Sequence, residues 1–173
     1  AQRHAKAFGS VDGASNTKAQ QGKIMSYLDI NRKLQDAIKT YLQNNLDSYA
    51  SGVADALPKL TAGDFEDLGQ DHILVYVPEA NEDPPYSGTY NAQVMVRVAT
   101  IRDTALATHR NYCKAVFDLL SEEDLATYIN GLSGSIIRVN QLIDSRSFST
   151  GIVNESMRHD TMQFNLRVYQ VTN

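Results

Sequence analysis

Tryptophan is absent from the 173 residues, proline occurs four times and cysteine once, at Cys113. A single thiol excludes an internal disulfide framework and any cysteine-rich zinc site. No apolar run approaches the ~18 residues a membrane-spanning helix needs, so no membrane partner is expected. The opening residues lack the charged, apolar and small-residue succession of a secretory signal, and the expectation is a soluble intracellular product. Also missing are a glycine-rich phosphate loop, a nucleophile elbow, an EF-hand loop and a zinc-binding histidine pair. Silence across these motifs argues against an enzyme, and no cofactor is expected.

What is present is ordinary for a globular protein: 42% hydrophobic and 21% charged residues, in a chain long enough for one domain with appendages. The net charge of −4 is unevenly spread. Residues 1–40 carry seven Lys or Arg against three Asp, whereas residues 41–90 carry nine acids against Lys59, and the remainder balances at eight against eight. An acidic middle of this kind usually forms a solvated surface, and it argues against that surface gripping nucleic acid.

Residues 1–23, AQRHAKAFGSVDGASNTKAQQGK, offer only Phe8 and Val11 as large apolar groups. They cannot bury enough surface to offset their ordering entropy, so the segment is read as a flexible basic arm preceding a single domain over 24–173. Arg3, Lys6 and Lys18, with Lys23, are its candidate contacts. Ser26 with Asp29 three residues on resembles a capping box. Ile30, Leu34, Ile38, Tyr41, Leu42, Leu46 and Tyr49 then recur at helical spacing. Residues 51–71 contain Gly52, Pro58, Gly63 and Gly69 and read as a loop with at most one short helical turn.

HILVYV, residues 72–77, suits a buried strand, and TYNAQVMVRVATI alternates with Val94, Val96 and Val98 on one side. Between them PEANEDPPYSG, residues 78–88, reads as a long acidic, proline-stiffened hairpin tip; loops of that length usually carry function. Leu106, His109, Tyr112, Cys113, Val116, Phe117 and Leu120 mark a second amphipathic helix capped by Asp103 or Thr104. Residues 121–134 should form a short helix or turn. SIIRVNQLID begins a third strand that continues past an irregular region, and the alternation of Phe164, Leu166 and Val168 against Gln163, Asn165, Arg167 and Tyr169 gives a closing one. The predicted class is therefore α+β: an antiparallel four-stranded sheet from two hairpins, packed by two main helices in αββαββ order.

Candidate chemistry is sparse. His109 and Cys113 share a helical face at a spacing two metal ligands could use, but no further histidine or cysteine cluster completes the set, so no metal is expected. A nucleophilic Cys113 would need an electropositive niche that the helix does not offer. His159–Asp160 and Asp71–His72 are neighbours on extended chain, where adjacent side chains point to opposite faces, and neither pair works as acid and base through adjacency. The acids Glu122, Glu123 and Asp124 are explained by a helix dipole.

Taken in order, IMSYLDINRKLQDAIKTYL, HILVYV with YNAQVMVRVAT, HRNYCKAVFDLL, and SIIRVNQL with FSTGIVNESMRHDTMQFNLRVYQV resemble the tail terminator proteins of long-tailed bacteriophages. The likeness is of pattern and order from about Lys23 onward. It implies a virion structural protein of the tail or neck, a homo-oligomeric, hexameric ring that caps the tail tube, joins it to head-completion or connector proteins, and passes DNA without sequence-specific binding. Glu79, Glu82, Asp83 and Tyr86 on the hairpin tip, and Gln163, Asn165, Arg167 and Tyr169 on the closing strand, are then candidates for an assembly or channel-lining surface. Another neck or adaptor protein, a general assembly module, and a small enzyme using His109 and His159 remain as alternatives.

Overall fold

The computed structural model describes residues 27–50, 59–63, 69–121, 124–132, 134, 137–151 and 156–171. The expectations for Arg3, Lys6, Lys18, Ser26 and the pair Glu122 and Glu123 lie outside them. Chain order is α1 (Tyr27–Ala50), β1 (Lys59–Ala62), β2 (His72–Glu82), β3 (Thr89–Ile101), α2 (Leu106–Ser121), α3 (Asp124–Gly131), β4 (Ile137–Gly151) and β5 (Met157–Gln170).

The strands form one five-stranded sheet in the order β1-β2-β3-β5-β4. The expected four-stranded antiparallel sheet is thus incorrect: the sheet is mixed, with β1 running parallel to β2 from Lys59↔His72 to Ala62↔Val75, and three helices pack on it. The added strand, KLTA, is too short to show a period and sits among the turn residues that made this stretch read as a loop. Both expected hairpins exist, joined by the long antiparallel ladder of β3 on β5 from Thr89↔Tyr169 to Ile101↔Met157.

Alternation decides which side chains meet the helices. Val75, Val77, Val94, Val96, Val98, Met162, Phe164, Leu166 and Val168 are buried against Ile30, Leu34, Ile38, Leu42 and Leu46 of α1, Tyr112, Val116, Leu119 and Leu120 of α2, and Leu125 and Ile129 of α3. Leu106 and Phe117, expected on the inward stripe of α2, are exposed instead; Leu119 takes the inward position. The hydrophobic effect makes this shared interior the main source of stability.

Two polar devices from the helices complete the sheet. The β2–β3 register shifts between Tyr76 and Glu79, a bulge that accommodates Pro78, which cannot donate to a ladder. Beside it the backbone groups of Val77 are taken up by α1: Asn31 Nδ2 donates to the Val77 carbonyl at 3.1 Å, and the Val77 N–H donates to Gln35 Oε1 at 3.1 Å. At the far edge, Asn130 of α3 pairs with β4 as a strand would, Nδ2 donating to the Val139 carbonyl at 2.8 Å and Oδ1 accepting from the Val139 N–H at 2.8 Å. Buried backbone groups need such partners.

Candidate functional site

The helix face holds a compact polar cluster at the start of α2. The first turn of α2 brings His109 inward and the next turn brings Cys113 to the same side, as the four-residue spacing requires. The inner strand β5, on which Asp160 pairs in register with Val98 of β3 and Thr150 of β4, presents Asp160 to them. His109 Nε2 lies 3.1 Å from Asp160 Oδ2, Cys113 Sγ 3.5 Å from the same oxygen, and Sγ 3.6 Å from Nε2. The other ring nitrogen, Nδ1, is 2.9 Å from the hydroxyl of the fully buried Thr100. Burial first, and then the charge of Asp160 and the hydrogen bond to it, push the Cys113 thiol up to about 12. That thiol is a poor nucleophile. In a nucleophilic triad the thiol and the carboxylate occupy opposite nitrogens of the imidazole, whereas both face Nε2 in this cluster.

The rule that strand neighbours diverge holds at His159 and Asp160. His159 points to the opposite face, where Arg97 Nε donates to its Nδ1 at 2.8 Å. Asp71 likewise works apart from His72: its carboxylate accepts from the Ile101 N–H at 2.8 Å and from the Thr104 hydroxyl, tying the start of β2 to the turn before α2. Sequence reasoning missed Asp160 as the third member of the cluster because it looked for a third donor among histidines and cysteines alone. Thr100, a polar residue that ends the inward run Ala92, Val94, Val96 and Val98 of β3, was the other available signal.

The opposite face of the sheet is polar and half-open. Glu79 and Asn81 of β2, Asn91, Gln93 and Met95 of β3, and Gln163, Asn165 and Arg167 of β5 lie across it in register. Arg167 and Glu79 are exposed, and Gln163, Asn165 and Tyr169 are partly exposed.

The hairpin tip is tighter than expected. The proposed loop of residues 78–88 shrinks to 83–88 because β2 extends to Glu82. The Asp83 N–H donates to the Thr89 carbonyl at 2.9 Å, and Glu82 Oε1 accepts from the Gly88 N–H at 2.8 Å. At its summit Tyr86 is 99% exposed and adopts φ 62°, a left-handed conformation costly for a residue with a side chain. Gly88 takes φ 67° where no side chain opposes it. Glu82 therefore has an internal structural duty, while Glu79, Asp83 and Tyr86 are displayed outward.

No helix among the described residues is long and apolar enough to cross a membrane. No family model matches the sequence, and no curated protein matches it. In fold the chain is similar to one chain of a solved structure described as "Virion of native gene transfer agent (GTA) particle", with 20% sequence identity and a TM-score of 0.52 over 79% of this chain and 94% of that one.

Proposed function

We propose that this chain is a structural protein of a virion neck or tail end. Copies associate head to tail into a ring that caps the tail tube, joins it to the head and leaves a channel for DNA. The observation that carries the proposal is the fold shared with a chain of a gene transfer agent virion over 94% of that chain's length. It agrees with the element order that resembles tail terminator proteins. In this reading the role is assembly and not catalysis.

The surface supports the same reading. A sheet whose second face is a row of polar, partly exposed side chains offers a place for a subunit or a lumen without leaving a large apolar patch in the free protein. An aromatic ring held outward on a strained turn suits a contact, because local strain concentrates where a partner is engaged. The acidic residues Glu79 and Asp83 would keep a channel from holding DNA phosphates. The basic arm, residues 1–23, is assigned to neighbouring subunits, tail tube or connector.

Native mass measurement and negative-stain imaging of the purified protein test the reading. A ring of about six copies is expected, as a head-to-tail interface closes only at a fixed rotation. A protein that stays monomeric alone and with its tail-tube partner refutes it. Arg167→Glu should abolish ring formation while leaving the monomer's melting unchanged, since Arg167 is exposed.

A further inference from the structure

The His109, Cys113 and Asp160 cluster is more than a hydrogen-bonded knot. We propose that Nε2 of His109, Sγ of Cys113 and Oδ2 of Asp160 form a binding site for a divalent cation of the zinc class, linking α2 to β5. The three donors all lie within 4.8 Å of one another. Ordinary zinc bond lengths at tetrahedral angles require edges of about 3.6 Å for sulfur to nitrogen, about 3.6 Å for sulfur to oxygen and about 3.4 Å for nitrogen to oxygen. The observed edges are 3.6, 3.5 and 3.1 Å. The cluster is thus already spaced as three corners of a zinc tetrahedron.

Charge points the same way. Among the described residues no Lys or Arg pairs with Asp160, although its side chain is only 17% exposed. A largely covered carboxylate is held by a cation or a metal, and the one cationic group that faces Asp160 among the described residues is the His109 ring, if protonated. A thiolate, a carboxylate and a neutral imidazole together neutralise a divalent ion. The thiol proton leaves as the sulfur ligates, so binding weakens as pH falls.

Thr100 supplies the orientation such a site needs. Its hydroxyl can donate or accept, so it serves two tautomers of His109. In one tautomer, suited to the metal-free cluster, Nε2–H donates to Asp160 and the hydroxyl donates to Nδ1. With metal, Nδ1–H donates to the hydroxyl and the Nε2 lone pair faces the ion, which is the usual arrangement behind a ligating histidine. A fourth donor, such as water, would complete the tetrahedron.

The proposal stands whether or not the protein builds a ring, and its test uses the full chain with Zn(II) and Co(II) alone. Metal-free protein titrated with Co(II) should bind one equivalent and develop both a thiolate-to-metal charge-transfer band and the intense visible absorption of four-coordination. Zn(II) should displace the Co(II). Cys113 is the only thiol in the chain, so that band can arise nowhere else. Thr100→Val should keep the band and weaken affinity roughly 10–100-fold. Cys113→Ser, shown to be folded by circular dichroism, should lose the band and most of the affinity. A wild-type spectrum without a thiolate band, or binding no tighter than that of Cys113→Ser, overturns the proposal. Should Cys113→Ser not fold, the wild-type spectrum alone decides.

Discussion

Asn130→Ala isolates what a side-chain amide contributes when it stands in for a neighbouring strand. The substitution removes two hydrogen bonds of 2.8 Å to Val139, a residue only 2% exposed. Each such bond contributes about 0.5–1.5 kcal/mol net, so the pair is expected to contribute about 2 kcal/mol. Asn130 itself is exposed, and water entering the vacated space keeps the loss from rising further. Alanine's better helix propensity returns up to about 0.7 kcal/mol. The expected net loss is about 1.5 kcal/mol, which corresponds to a melting temperature lowered by about 3–6 °C in a domain of this size. Urea unfolding should show a lower midpoint with an unchanged slope, because no additional surface is exposed. Asn130→Asp should be at least as damaging, since it places a carboxylate oxygen against the Val139 carbonyl. A stability for Asn130→Ala within about 0.3 kcal/mol of the parent refutes the reasoning and means that water satisfies the β4 edge equally well.

Phe164 is fully buried at the centre of β5, and Phe164→Ala should cost about 3–5 kcal/mol in urea unfolding, a large share of total stability. Tyr86→Gly should relieve the left-handed backbone and stabilise the monomer by about 0.5–1 kcal/mol after the added unfolded-state entropy, while weakening assembly; a monomer no more stable than the parent contradicts the strain assignment. Burial first, and then the charge of Asp71, raises the Tyr112 hydroxyl above its ordinary value of 10.0. Its contribution to stability is present below pH 10.0 and is lost as pH rises above it, because the unfolded chain ionises first. Tyr112→Phe should therefore show a shallower alkaline loss than the parent, and equal slopes would count against the assignment.

Long alternating and helical patterns carried most of what could be read beforehand. Thirteen residues from Thr89 to Ile101 alternate in sequence and form β3 with those bounds, and the apolar period of α1 is matched by the burial of Ile30, Leu34, Ile38, Leu42 and Leu46. β1 was illegible because four residues fit any period, and its pairing with β2 is parallel and made by chain that carries turn residues on either side. On α2 the stripe was drawn too wide: Phe117 has the spacing for it, yet at 39% exposure it lies on the rim. The metal-like cluster escaped for a different reason. Its first two members are one helical turn apart, whereas Asp160 reaches them through the pairing order of the sheet, which no local pattern encodes.

The position of β5 governs when the molecule can exist during synthesis. It is the latest of the described strands in chain order, yet it lies between β3 and β4. Until it emerges from the ribosome, β4 has no neighbour in the sheet, the edge of β3 is open, and Asp160 is missing from the side of α2. Any product stopped before Met157 also lacks Gln163, Asn165 and Arg167. Under the proposed assembly role, the β5 share of the contact surface is thus made after Glu79, Asp83 and Tyr86, and a chain stopped before Met157 would offer complete copies only part of that surface.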